Sequence, residues 1–208
     1  MIRVIVADDH PVVRKGLCSI LTEGDAIQVT GEANNAQEVL ALLEGVPADV
    51  LVLDIGMPGR SGLELLQDLK QSHPKLPVLI LSQYPEEQIA VRAIRAGAAG
   101  YLNKESAPDQ LVEAVQRVFQ GRRFLTPNLA ELLAVTVEGG TSEPHQSLSA
   151  REYQVFQMIA SGKTVSDIAD EISISVKTVS TYRTRILDKM NLKNNAELTR
   201  YAIQNQLV

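Results

Sequence analysis

The chain has 208 residues, 45% of them hydrophobic and 22% charged, with a net charge of −5. That length allows one large or two modest domains, each with its own core, and the composition is that of an ordinary globular protein. A single cysteine excludes a disulfide framework, the three histidines lack the spacing of a zinc site, and no apolar run approaches the ~20 residues of a membrane span.

In chain order, the first ~120 residues alternate strand and helix five times. Apolar runs predict strands at Ile2–Ala7, Ile27–Ala33, Val50–Leu53, Val78–Ser82 and Gly100–Asn103. Helical periodicity falls near Pro11–Leu21, Asn35–Leu43, Gly62–Ser72, Pro85–Ala96 and Pro108–Gln120. Met57-Pro58-Gly59, Gly97 and Gly121 punctuate them. Cys18, flanked by Leu17, Ile20 and Leu21, reads as core filling. Five βα units with short loops imply an α/β doubly wound, five-stranded parallel sheet over residues 1–121. Residues 122–147 read as a linker: a helical piece near Pro127–Val137, then a Gly/Ser/Pro/acid tract from Glu138 to Gln146.

Residues 148–208 carry helix signals alone and read as a small all-α helix-turn-helix domain. Ser149 with Glu152 and Thr164 with Asp167 are capping boxes. A short helix to about Ile172, a turn at Ser173-Ile174-Ser175, a longer helix to about Met190 and a last helix from Ala196 to about Gln204 follow. Charge divides the same way: 12 basic and 16 acidic residues up to Arg123, three acids and no base from Phe124 to Gln146, and 8 basic against 6 acidic from Ser147 onward. An acidic front and a mildly basic tail suggest different partners.

The ends of the strands are the most informative positions. Asp8 and Asp9 close the first, Asp54 the third, Ser82 the fourth and Lys104 the fifth. Ligands of open parallel sheets bind at the carboxyl ends of the strands, so three acids, a hydroxyl and an amine converge there. Such an acidic cluster suits Mg²⁺, which prefers one or two carboxylates with phosphate and water oxygens. With Lys104 opposite, the ion would neutralise an incoming phosphoryl group and leave a carboxylate free to attack it.

Ala7-Asp8-Asp9-His10-Pro11, Leu53-Asp54-Ile55-Gly56-Met57-Pro58, Leu81-Ser82 and Gly100-Tyr101-Leu102-Asn103-Lys104 resemble the flavodoxin-like receiver domain of bacterial response regulators. The resemblance implies that Asp54 accepts a phosphoryl group from a sensor histidine kinase. It implies Mg²⁺ held by Asp8, Asp9, Asp54 and the Gly56 carbonyl, with Lys104 and Ser82 on the phosphoryl oxygens and Tyr101 as a switch that turns inward. Tyr84 stands where family members vary and tune dephosphorylation, and His10 reads as the start of the first helix.

In the tail, Leu148–Glu152, Ala160–Gly162, Ile168-Ala169, Ile174–Val179 and Lys189–Leu192 resemble the LuxR-type DNA-binding domain. The whole chain therefore resembles a NarL/FixJ-type response regulator. Val165 replaces the usual Asn and Tyr182 a frequent His; Thr178–Arg185 is nearer the branch that includes the GacA, UvrY and BvgA regulators. Val179, Ile186 and Met190 fall on one face of the longer helix and Lys177, Thr181, Thr184 and Asp188 on the other. Lys177, Ser180, Thr181 and Thr184 are the candidate base readers, Thr178 is a further DNA-binding candidate, Arg183 and Arg185 contact bases or phosphates, and Tyr182 packs or reaches a phosphate. Leu198, Tyr201 and Ala202 form a stripe expected to join two copies on double-stranded promoter DNA after phosphorylation. A cytoplasmic regulator of transcription is expected, with no membrane contact and no enzymatic role beyond accepting, and slowly releasing, the phosphoryl group.

Two rivals fit less well. A haloacid-dehalogenase-type phosphatase needs a second acid two residues after its nucleophile, where Gly56 stands, and a cap domain for which the chain has no room. The second is a receiver joined to an RNA-binding or purely protein-binding output, which a mobility-shift assay with double- and single-stranded probes would separate.

Overall fold

The computed structural model of the protein describes residues 1–57, 62–83, 86–137, 144–205, 207 and 208. It divides into two compact units, Met1–Glu138 and Gly139–Val208.

The first unit is built on five parallel strands, β1 Ile2–Ala7, β2 Ile27–Ala33, β3 Val50–Asp54, β4 Val78–Ser82 and β5 Gly100–Asn103, in the order β2-β1-β3-β4-β5. Every residue of β3 and β4 is buried, which is why their sequences run apolar without alternation: both faces of the sheet are covered. The edge strand β2 keeps Gln28 and Glu32 exposed and alternates accordingly. Helices α1 Pro11–Thr22, α2 Ala36–Gly45, α3 Gly62–Ser72, α4 Glu86–Arg95 and α5 Ala107–Phe119 make the crossovers and exit. Val4, Val6, Val50, Val52, Leu79 and Leu81 form one core layer with Leu17, Leu21, Leu111 and Val115 of α1 and α5. Cys18 is half-buried against that layer, and burial pushes its thiol up to about 11. Helix α6, Pro127–Val137, lies against α4.

The doubly wound parallel sheet expected from the sequence is the one observed. The chain leaves β1 for β2 and returns on the other side to β3, so the strand order reverses between β1 and β3. Their register pairs Ala7 with Leu53, which sets Asp8 and Asp54 side by side just past the reversal. Pro58, Gly59 and Tyr84 lie outside the described residues, as does the Glu138–Glu143 part of the expected linker.

The second unit contains α7 Ala150–Ala160, α8 Val165–Glu171, α9 Val176–Met190 and α10 Asn195–Gln204. Both capping boxes form, and the Ser175 side chain accepts from Thr178 N to start α9. Between α8 and α9, Ser173 adopts a left-handed φ of 53° and Ile174 N donates back to the Ala169 carbonyl, which makes the turn tight. Val179, Ile186, Leu187 and Met190 are buried, so α9 is held by its apolar face while its other face is free.

Two expectations are corrected here. The tract read as linker up to Gln146 ends in a 3-10 turn, Pro144–Ser147, whose buried His145 lies against Tyr153 and Tyr201 and hydrogen-bonds the Tyr201 hydroxyl at 2.9 Å. Composition marks that tract as polar, whereas the aromatic cluster that captures His145 exists only in three dimensions. Likewise, Leu198 and Ala202 are fully buried and α10 packs on α7, so these residues close their own core and are not available to a second copy. The outward stripe of α10 is Ala196, Arg200 and Ile203, with Ile203 62% exposed.

A half-buried ion pair fixes α9 against α7: the exposed Lys189 donates through Nζ to the buried Glu152 Oε2 at 2.6 Å, while Ser149 N donates to the same oxygen at 2.7 Å. Burial alone would raise the Glu152 carboxyl, but the bonds from Lys189 and Ser149 outweigh it and hold the group below its ordinary 4.5. A depressed folded-state value stabilises above the unfolded value and is lost as pH falls through the folded one. Glu152→Gln is therefore expected to lower the stability of this unit by about 1 kcal/mol at neutral pH. The deficit should shrink as pH falls below about 4.5. Urea titrations read by amide exchange in α7 and α9 check this; a deficit that persists at pH 3 would contradict it.

Candidate functional site

The acidic pocket is assembled from the carboxyl ends of four strands. Asp8 follows β1, anchored by its own N–H to the Ala33 carbonyl at 3.0 Å, and its Oδ1 accepts from His10 N at 2.8 Å to open α1. Asp54 ends β3, opposite Leu81, and Ser82 ends β4, opposite Asn103. Asn103 Oδ1 caps the 3-10 turn Lys104–Ser106 through Glu105 N, which sends Lys104 back over the strand ends.

Lys104 Nζ lies 2.7 Å from Asp8 Oδ2 and 2.7 Å from Asp54 Oδ2. Both carboxylates are buried and of like charge, so the ammonium between them is what makes their burial tolerable. Burial lowers the Lys104 ammonium value, but Asp54 and Asp8 outweigh it and the proton is held more tightly than usual. For Asp54 burial dominates: its carboxyl sits above the ordinary range despite Lys104 and the N–H of Gly56, which donates to Oδ1 at 2.9 Å.

One ligand atom from each of Asp8, Asp9, His10 and Asp54 falls within 4.8 Å of the others. Asp8 Oδ2 and Asp9 Oδ1 are enclosed, with Lys104 Nζ 2.7 Å from the first and His10 Nδ1 2.9 Å from the second. Three clustered, enclosed carboxylates fit a hard dication such as Mg²⁺, which takes oxygen ligands and would leave the neighbouring His10 nitrogen aside. Ser82 and Tyr101 are both buried. Three features differ from the sequence expectation. Lys104 contacts the carboxylates directly. Gly56 engages Asp54 through its N–H. His10 starts α1 as expected, but its Nδ1 also stands 2.9 Å from Asp9 Oδ1, a role hinted at only by its place beside the acids.

Sequence reading passed over Gly62. A Cβ there would lie 2.5 Å from the Asp54 carbonyl oxygen and 2.8 Å from Ile55 Cα, so only glycine lets α3 start against the end of β3. A glycine opening a helix was the available signal.

On α9, Lys177, Thr178, Ser180, Thr181, Thr184 and Arg185 are exposed and Tyr182 and Arg183 half-buried. The hydroxyls of Ser180, Thr181 and Thr184 donate to the carbonyls of Val176, Lys177 and Ser180. Thr178 Oγ1 is engaged with the cap at Ser175, and Arg183 Nε donates to Asn195 Oδ1 at 2.6 Å, which ties it to the start of α10.

A parallel sheet with an acid–lysine pocket at its strand ends, followed by a helix-turn-helix unit, defines a phosphorylation-type receiver joined to a DNA-binding output. The family described as response regulator receiver domain matches residues 4–116, and that described as bacterial regulatory proteins, luxR family, matches residues 146–202. The chain belongs to the two-component response regulators of the NarL/FixJ type, transcription regulators with a helix-turn-helix DNA-binding domain. It is 37% identical to the response regulator GacA of Pseudomonas protegens over 100% of this chain and 98% of the relative. It is 35% identical to UvrY of Escherichia coli, covering 100% and 96%. Among solved structures, RcsB of Salmonella enterica bound to a promoter in the presence of the phosphomimetic BeF3− is similar at 28% identity and a TM-score of 0.61, covering 96% of this chain and 97% of that one. RcsB is also known as two dimers bound to two parallel DNAs, at 27% identity, a TM-score of 0.61 and the same coverage. No helix among the described residues is long and apolar enough to cross a membrane.

Gly62→Ala is expected to destabilise the first unit by about 1–3 kcal/mol, because the Asp54 carbonyl and Ile55 Cα that a Cβ would meet are backbone atoms that cannot rotate aside. Urea unfolding measures it, and an unchanged midpoint would mean that the β3–α3 junction is slack.

Proposed function

We propose that Asp54 accepts a phosphoryl group from the phosphohistidine of a sensor histidine kinase, and that this modification drives dimerisation and tighter binding to promoter DNA. The observation that carries the reading is the buried Asp54 carboxylate set between Lys104, at 2.7 Å, and the enclosed carboxylates of Asp8 and Asp9. Asp54 attacks phosphorus, the P–N bond to the donor imidazole breaks, and the imidazole leaves neutral once protonated. Asp8, Asp9, Asp54 and the Gly56 carbonyl would hold Mg²⁺, which when bound supplies charge neutralisation for the phosphoryl oxygens. Lys104, released from Asp8 and Asp54, supplies the second cation, and the Ser82 hydroxyl bonds a phosphoryl oxygen. Tyr101, already enclosed, fills the space left as Ser82 is drawn in. Hydrolysis of the acyl phosphate is slow and leaves the protein a switch, not an enzyme.

Residues 1–121 are then the receiver and 148–208 the output, with the Pro144–Ser147 turn joined to the output through His145, acting in the cytoplasm where kinase output and promoter meet. On the output, Lys177, Thr178, Ser180, Thr181 and Thr184 face the bases and Arg185 the phosphates, with Tyr182 and Arg183 at the flank. Because Ser180, Thr181 and Thr184 donate their protons to the helix backbone, they present lone pairs and methyl groups outward. That favours the amino groups of adenine or cytosine and the methyl of thymine. Two copies on half-sites about one helical turn apart supply the affinity that one small domain lacks.

With a small phosphodonor and Mg²⁺, mass spectrometry is expected to find one added phosphoryl group, absent in Asp54→Asn, and ultracentrifugation a dimer only for the modified protein. Labelling that survives Asp54→Asn, or a DNA-bound monomer, would sink the respective half of the proposal.

Thr181→Ala is expected to weaken binding to the cognate site by ~1–3 kcal/mol and spare random DNA. Arg185→Ala should weaken both and flatten the salt dependence by about one unit of slope. Binding to both probes across several salt concentrations distinguishes them; identical behaviour would place another face of α9 in the groove.

A further inference from the structure

At the opposite end of the receiver sheet from the acidic pocket lies a cavity of about 250 Å³ walled by Pro74–Pro77 before β4, Gly97–Ala99 before β5 and the turn after α5. Four cations line it, Lys70, Lys75, Arg122 and Arg123, and among the described residues no acid does. None of the four makes an ion pair with a described residue. This is notable in a stretch where, up to Arg123, 16 acids outnumber 12 bases.

Lys70 is held by its own side chain and the two arginines by the backbone that carries them. Lys70 Nζ donates to the Leu76 carbonyl at 2.9 Å, and its stem lies on Gly97, where a Cβ would come within 3.0 Å of Lys70 Cγ. Gly97 and Gly121 both adopt left-handed φ, 101° and 77°, which turns the backbone tightly on two sides of the cavity. Arg122 and Arg123 sit on a short strut between fixed points: Arg122 N donates to the Arg117 carbonyl at 3.1 Å and Phe124 N to the Ala99 carbonyl at 3.0 Å. Burial, with Arg123 adding to it, lowers the Lys70 ammonium value, the sign of a cation lacking a counter-charge. A concave wall of one sign focuses the field on whatever anion enters.

We propose that this end of the receiver binds a small phosphate-bearing anion, held by Lys70, Lys75, Arg122 and Arg123. Two guanidinium forks suit phosphate oxygens bidentately, and the ammonium groups add point charges. The cavity is below the ~300–1,000 Å³ of drug-sized ligand sites, so the fit is to an anion of one or two phosphate groups, not to a whole nucleic acid segment.

The test uses the full-length Asp54→Asn chain with EDTA, which keeps the acidic pocket from recruiting phosphate through a metal, and pyrophosphate as the probe. Titration calorimetry at constant ionic strength is expected to give saturable binding, weakened about tenfold or more in Arg122→Ser/Arg123→Ser and in Lys70→Met, and unchanged in Lys177→Ala/Arg185→Ala. Retention of the native amide spectrum in each variant separates lost binding from lost fold. Absence of binding, or binding abolished by the α9 pair and indifferent to the receiver pair, overturns the proposal. So does a receiver pair that leaves pyrophosphate binding intact but lowers the salt slope of DNA binding, which would make these arginines DNA contacts.

Discussion

The first unit depends on one interaction, the Lys104 ammonium shared by Asp8 and Asp54 at 2.7 Å each. Two buried carboxylates beside each other repel, and neither has water enough to be solvated. Four strands must end in register to bring the lysine to them: β1 beside β3, β3 beside β4, and β4 beside β5 with its capped 3-10 turn. The same arrangement holds function in reserve. Tyr101 on β5 and Lys104 just past its end stand three residues apart, so the pocket and the last strand share one short segment.

The second unit solves a different problem. Its reading helix must present polar side chains to a partner and yet be rigid enough to discriminate. Rigidity comes from the buried face of α9 and from Lys189 on Glu152, itself part of the cap of α7. Arg183, tied to Asn195, and Thr178, tied to Ser175, brace the exposed face from its edges. The residues left outward, Lys177, Ser180, Thr181, Thr184 and Arg185, are those whose side chains have no other structural task beyond bonding their own helix backbone.

Charge is distributed by end within the receiver. Acids gather where the strands finish and bases where β4 and β5 begin, so the sheet carries sites of opposite sign at its two ends. A parallel sheet permits this because all loops of one kind emerge on one side, letting each end evolve its own chemistry.

The sequence by itself determined the elements and their type. Fully apolar runs at β3 and β4, capping boxes at Ser149 and Thr164 and turn residues at Gly97 and Gly121 act locally, and local signals survive in one dimension. It also pointed to Asp8, Asp54 and Lys104, which the fold brings together, since a strand end is legible as the last apolar residue before a polar one and parallel topology gathers such ends. Tertiary structure alone decided what depends on partners distant in the chain: Lys104 bridging Asp8 and Asp54, His10 beside Asp9, Gly62 against the Asp54 carbonyl, and the basic cavity built from Lys70, Lys75, Arg122 and Arg123. It decided, too, that His145 belongs to an aromatic cluster and that Leu198 and Ala202 face inward. A helical stripe reveals that a face is apolar; only packing says whether the surface covering it is the same chain or another.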